Sequence, residues 1–311
     1  MEHKKTGKNG EDNPHRFSLM MSGGFMKKNG WLIFVLLLGM ILSGCQNDMK
    51  DVTHPSLDRT ENIYATSVKY TAENDGAKAY VEIAKRSEAL FCLLEKQMDA
   101  FVMDAYNYQS IDNEGTPLYT QNELTLPVEV DAEGHHIRVS PNYFKFNPIE
   151  TVSGNPIETQ MIWDDNTLNL LVPEQHKELE NEIISEYLDT FYFEKISVDN
   201  IHREEMGQPL LETAKEELYV NIIYVKDGQE YFTFRSDLAA GMSNIITDPI
   251  VSVYTGNIHV SYAHSFMSQF VYFYADAVNS QAAYEAVLPY IQQAGAENSF
   301  QKVNSVKESF I

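Results

Sequence analysis

Residues 218–234 read LYVNIIYV-KDGQ-EYFTF. Two runs dense in β-branched and aromatic side chains flank a four-residue turn that contains Asp227-Gly228. Such residues suit a pleated, half-buried surface, and a short Gly-containing loop between two such runs predicts a β-hairpin. A second hairpin is predicted at 126–139, LPVEV-DAEG-HHIRV, on the same grounds. Further strands are predicted over 62–70 (NIYATSVKY), in AFVMDAY from Ala100, over 166–172 (NTLNLLV), in FYFEKISV from Phe191, over 248–256 (DPIVSVYTG) and in the closing FQKVNSVKESFI.

Helical spacing appears between these strands. Over 77–98, Tyr80, Ile83, Ala84, Leu90, Leu94 and Met98 share one face. Pro173 opens a predicted helix that runs to Asp189, because the missing proline N–H has no intrahelical partner at a helix start. A helix over 280–295 is stopped by Gly295, and residues 265–278 lean towards helix. Asn147-Pro148-Ile149-Glu150-Thr151 recurs as Asn155-Pro156-Ile157-Glu158-Thr159 around Ser153-Gly154, which reads as a turn with two matching arms. Hairpins mixed with helices, without strict alternation, predict an α+β fold with hairpin-rich sheet and several packed helices.

Ahead of this body lies GWLIFVLLLGMILSGCQ, residues 30–46. Trp31 to Ser43 gives thirteen uncharged residues behind Lys27 and Lys28. A spanning helix requires about 17–25 apolar residues, whereas a secretory h-region behind a basic start requires about 7–15. The run closes on Leu42-Ser43-Gly44-Cys45, the form in which bacterial lipoprotein signals end. An aliphatic residue and two small ones admit the signal peptidase, and only a thiol can form the thioether to diacylglycerol. Cys45 is therefore the expected lipid-attachment site, with Leu42, Ser43 and Gly44 as the cleavage motif. An uncleaved signal anchor is the alternative. Either way the basic flank stays inside, and the chain beyond Cys45 is expected on the extracytoplasmic face of the cell membrane.

The expected organisation is then a non-native or disordered extension at 1–25, with Met26 as the initiator. A signal peptide or anchor follows at 26–44, a polar tether at 45–61 and the α+β domain at 62–311.

Removing residues 1–44 takes away six basic and three acidic side chains, so a formal charge of −22 becomes −25 over the remaining 267 residues. This argues against nucleic acid and an anionic membrane surface as direct partners and favours cationic ones. With Cys45 acylated, Cys92 stands alone, so no intrachain disulfide is expected; its setting in EALFCLLEKQMDAF reads as core. No Gly-rich phosphate loop, His-Glu-x-x-His helix or Gly-x-Ser-x-Gly elbow is present. His135-His136 reads as an exposed turn, since neighbours in a strand point to opposite faces. His259 and His264 are five apart, which suits no shared face, and Asp164-Asp165 reads as turn-capping before a strand. Trp163 is the single tryptophan beyond the leader. Nothing specifies catalysis, and neither cofactor nor metal is expected.

RVSPNYFKFNPIE, DDNTLNLLVPEQHKELE, FYFEKI, KDGQEYFTF and DPIVSVYTGN, taken in order, resemble the bacteriocin-associated integral membrane proteins of Gram-positive bacteria. The resemblance covers roughly 60–311. Its signals are ordered strings: Asn142-Tyr143, Asn147-Pro148-Ile149, Thr167-Leu168-Asn169, Val172-Pro173-Glu174 and Asp248-Pro249-Ile250. It implies the extracytoplasmic domain of a permease-like subunit of an ABC exporter, beside an ATP-binding subunit or permease and a cationic peptide, with no active site to carry over. Two departures stand out. The relatives' later membrane helices are missing, which makes truncation within the strand-like run ending at Ile311 an expectation, and the leader carries a lipobox. A solute-binding lipoprotein of an ABC importer is the alternative implied by that lipobox.

Overall fold

The computed structural model describes residues 58–69, 76–108, 124–236 and 244–310. Among them ten strands form two sheets: β1 (Ile63–Val68), β2 (Phe101–Asp104), β3 (His136–Val139), β4 (Thr167–Pro173), β5 (Tyr219–Val225), β6 (Glu230–Phe232), β7 (Ile245–Thr247), β8 (Ile250–Val253), β9 (Val271–Tyr274) and β10 (Phe300–Ser305). The helices are α1 (Ala77–Gln97), α2 (Tyr143–Phe146), α3 (Ile157–Gln160), α4 (Glu180–Tyr192), α5 (Val198–Glu205), α6 (Val260–Gln269) and α7 (Ser280–Ala294). Eight strands lie in the order β10-β1-β9-β2-β3-β8-β4-β5, and β6 pairs with β7 alone. Only the β3–β8 and β4–β5 pairs of the large sheet are parallel. The fold is α+β: a mixed sheet with packed helices.

Successive side chains along a strand leave on opposite faces, and this divides the molecule. Phe101, Met103, Ile137, Val139, Leu171, Ile223, Val251 and Val253 point to one side, where they join Tyr143 and Phe144 of α2, Phe232, Phe234 and Ile246 in a single apolar cluster. The short β6–β7 ribbon closes this face. Phe101 alone packs against the rings of Tyr143, Phe146, Phe234 and Tyr272, at centroid distances from 4.9 to 5.8 Å. Phe234 holds φ at +56°, a conformation that costs a side chain about 1–2 kcal/mol; its four ring contacts hold it there.

The other face carries α1, α6 and the α4–α5 rod. Thr66 of β1 donates to the Met267 carbonyl of α6 at 2.7 Å, and Tyr64 donates to the Ala277 carbonyl at 2.7 Å. Helix α1 turns Val81, Ala84, Leu90, Phe91 and Leu94 inward. Helix α7 starts on Asn279, whose side chain accepts the Ala282 N–H, and ends on Gly295 at φ +65°, a left-handed cap that glycine adopts without penalty.

Both predicted hairpins are corrected. β5 and β6 flank the Lys226–Gln229 turn but enter different sheets. The reason is capture on both sides. The Asp248 carboxylate accepts the Gly228 and Gln229 N–H groups, both at 2.8 Å, and draws β6 towards β7. On the flank of β5 where β6 would lie, Val152 donates to Tyr224 and Lys226 donates to Glu150. In the second case β3 forms, but 126–130 does not become a strand. Its backbone wraps around Asp131, whose carboxylate accepts the N–H groups of Thr125, Leu126 and Glu133. Gly134 sits so tightly that a Cβ there would lie 2.2 Å from the Val128 carbonyl oxygen.

FYFEKISV is also not a strand. α4 runs through a π-helical turn at Phe193–Ser197 into α5. Ile183, Tyr187, Phe191, Glu194, Val198 and His202 are its buried residues at helical spacing, together with Ile196, so inward-facing period overrides β propensity. Residues 174–179 form a 3-10 turn before α4. The 265–278 stretch divides, with helix to Gln269 and strand from Val271. The two arms of the Asn-Pro-Ile-Glu-Thr echo differ: Thr151 bridges Val225, whereas Ile157–Gln160 is helical.

Candidate functional site

The residues expected to carry the lipid, Leu42, Ser43, Gly44 and Cys45, lie outside the described residues. Among the described residues no helix is long and apolar enough to cross a membrane, and no group of three or more His, Cys, Asp or Glu side chains could hold a metal ion.

The remaining candidates fall at definite places. His135 and His136 do part to opposite sides, but they are not an exposed turn: both are half-buried. His135 stacks on Tyr108 at 4.8 Å. His136 bonds to Asn107 at 3.0 Å and meets the Tyr187 ring edge-on. Burial, with Arg138 nearby, lowers its pKa to about 3. Asp164 caps its turn as expected, accepting Asn166 N–H and the Thr167 hydroxyl at 2.8 and 3.0 Å. Asp165 instead pairs with Lys195 at 2.7 Å. Cys92 is a correction, because it lies on the exposed side of α1 while Phe91 and Leu94 turn inward.

The helix-covered face of the sheet gathers the charge. Arg138 of β3 gives both Glu194 carboxylate oxygens a hydrogen bond at 2.8 Å, and its Nε donates to Ser252 at 3.3 Å. The Tyr262 and Phe266 rings lie 5.8 Å from the guanidinium. Burial opposes the charged guanidinium, but the charge and hydrogen bonds of Glu194, with Asp104 and Tyr262 adding, leave its pKa above the ordinary value. Burial raises the Asp104 carboxyl, against the Tyr106 N–H that bonds to it. The π-helical turn positions Glu194. Val198 N–H reaches back to Phe193 O, so the Glu194 carbonyl accepts the His259 N–H at 3.1 Å. π-Helical turns often mark functional sites; this one fastens the α4–α5 rod to the start of α6.

Three histidines gather where α1, α5 and α6 meet. His202 stacks on His259 at 4.8 Å, and Tyr80 lies against both His202 and His264. His259 caps α6 through Ser261, and His264 shares a 2.8 Å hydrogen bond with Ser87. The histidine five residues from His259 is thus linked to it through Tyr80 and a third histidine, His202, whose place no spacing in the sequence announces. Desolvation lowers the pKa of all three, that of His259 to about 4. A serine beside a histidine is the geometry of an activated nucleophile. Here Ser87 and Ser261 are 1% and 2% exposed, and among the described residues no carboxylate bonds to the far nitrogen of either ring. The Ser87–His264 pair joins α1 to α6, and the Ser261–His259 pair caps α6.

The surface is different. Lys85, Lys145, Lys195, Lys215 and Lys226 each touch a carboxylate, namely Glu82, Asp99, Asp165, Asp189 and Glu150. A recess of about 280 Å³ between Arg59, Phe146, Asn147, Gln229 and Glu230 is small against ordinary ligand pockets of about 300–1,000 Å³. Asn147 in it is already bonded to Glu230 and Phe232. Trp163 and Tyr219, 60% and 61% exposed, stand out as large unburied aromatics. Comparisons with family models, curated proteins and solved structures return no match.

Proposed function

We propose that this chain is a non-enzymatic binding domain, tethered to the extracytoplasmic face of the cell membrane through Cys45 and serving bacteriocin export or self-immunity. It acts by engaging a cationic peptide or the permease partner of an ABC transporter. The supporting observation is the state of the surface charges. A formal charge of −22 is accompanied by lysines already neutralised on neighbouring carboxylates. The surplus field reaching solvent is therefore negative and attracts cations over about one Debye length, about 8–10 Å in physiological salt. The sequence resemblance and the lipobox supply the setting.

Pull-down of the tagged full chain from native membranes, at low and at high salt, tests this reading. Recovery at low salt of a transporter subunit or a basic peptide, lost at high salt, is the expected result. Recovery of no partner at either salt contradicts it. Capture of a small solute by the purified chain supports an importer's binding protein in its place.

A further inference from the structure

We propose that the outer edge of β5 is a docking site for an extended cationic peptide segment, which joins the sheet as a ninth strand. The inference rests on the binding role just proposed and gives it a place.

Tyr219 N–H donates to Asn166 O at 2.9 Å, which fixes the parity of β5 in its parallel pairing with β4. Tyr219, Asn221, Ile223 and Val225 turn their backbone groups towards β4, and Val220, Ile222 and Tyr224 turn theirs outward. At the far end the edge is covered, since the Tyr224 carbonyl accepts Val152 N–H and Lys226 donates to Glu150. That cover stops at Tyr224. Among the described residues nothing pairs with the outer side of Val220 or Ile222, so this stretch of the edge presents open donors and acceptors. Natural sheets usually block such an edge, and an unblocked one is a template for another strand.

The side chains around the open stretch suit a guest. Asn169 both accepts from and donates to the Ile162 backbone, and Asn221 donates to the Gln160 carbonyl and to Asn169. These bonds lay residues 160–163 across the β4–β5 end and leave Ile162, Trp163 and Tyr219 at 46%, 60% and 61% exposure. Exposed apolar side chains of this size beside an open edge give alternate residues of an added strand something to cover.

Charge selects the guest. Residues 150–172 contain Glu150, Glu158, Asp164 and Asp165 and no Lys, Arg or His, and exposed Glu212, Glu216 and Glu217 lead into β5. Lys195, Lys215 and Lys226 are held by Asp165, Asp189 and Glu150, and Lys177 lies over the Tyr224 ring at the covered end of the edge. A second copy of the chain would bring the same carboxylates and be repelled. A segment alternating apolar residues with Lys or Arg brings the opposite charge.

The probe is a fluorescein-labelled ten-residue peptide of alternating valine and lysine, added to the full chain in detergent micelles. Anisotropy is expected to show binding that weakens about tenfold or more between low and high salt. Hydrogen exchange is expected to slow at the Val220 and Ile222 amides on binding. Trp163→Ala, at an exposed position, is expected to keep the fold and weaken binding about tenfold. Salt-sensitive binding with unchanged exchange at both amides, and full affinity in Trp163→Ala, overturns the site while leaving the binding role standing. No binding at any salt overturns the site too. If the membrane pull-down is also empty, the role falls with it.

Discussion

On one face of the central sheet Phe101, Ile137, Leu171 and Val253 join a cluster of aliphatic and aromatic side chains, polar only at its tyrosine hydroxyls, of which that of Tyr143 donates to the Phe232 carbonyl. One residue along, on the other face, His136, Arg138 and Ser252 meet helices, and an ion pair and histidines occupy the interior. The same strands build both. The apolar face is held by dispersion and exclusion of water, which tolerates any filler of the right volume. The helix-covered face is held by directed bonds, each of which specifies its partner. Glu194 therefore fixes the rotation of the α4–α5 rod in a way that a leucine would not. The difference teaches that this fold uses its buried charges for placing helices.

The sharpest way to break the comparison is to remove one charge. Glu194→Ala strands Arg138 among Tyr262, Phe266 and Ser252, and unfolding in urea is expected to show a loss of about 3–5 kcal/mol. Arg138→Met combined with Glu194→Leu should recover most of it, because the desolvation cost of both charges is removed together. If the double variant is as unstable as the single, the pair contributes more than mutual compensation.

A smaller effect separates the faces by pH. His259 is 8% exposed, and its folded pKa lies near 4, below the unfolded value. A histidine depressed in this way contributes stability above its unfolded pKa of about 6.5, and that contribution fades as pH falls towards 4 because the unfolded chain takes up the proton first. The full effect is about 3 kcal/mol. Denaturation midpoints taken from pH 7 to pH 4 should fall less steeply in His259→Asn, whose amide can still cap α6, than in the parent chain. Equal slopes would mean that His259 carries none of the pH-dependent stability.

The smallest effect belongs to the apolar face. Ile137→Val deletes one buried methylene and should cost about 0.5–1.5 kcal/mol, with the same value at pH 7 and pH 5. A pH-dependent cost would mean that the two faces communicate through β3.

Much of this was legible along the chain. Strands β1, β2, β4 and β8 and helices α1 and α7 fall where alternation and helical spacing put them. The α+β class followed from their mixture. What escaped was pairing. KDGQ carries a good turn signal, yet which strand β6 joins depends on Asp248, far along the chain. FYFEKISV has strand propensity, and only its inward neighbours at 187 and 202 reveal the helical period. Cys92 looked buried because its neighbours are apolar, but a helix sets the inward direction by phase. Arg138 and Glu194, 56 residues apart, give no local sign of each other, and nor does His202 of His259. The open β5 edge was hidden in the run that most resembled a hairpin, since an edge exists only once the sheet order is known.

The proposed role depends on where the chain is held. Growing the source cells with labelled palmitate and fractionating them, for the parent and for Cys45→Ser, tests this most directly. The parent should carry label, run at the processed size and sediment with the envelope, whereas Cys45→Ser should be unlabelled and keep its precursor size. A Cys45→Ser chain of unchanged size in the envelope, or a parent chain recovered unlabelled from the cytosol, would contradict it.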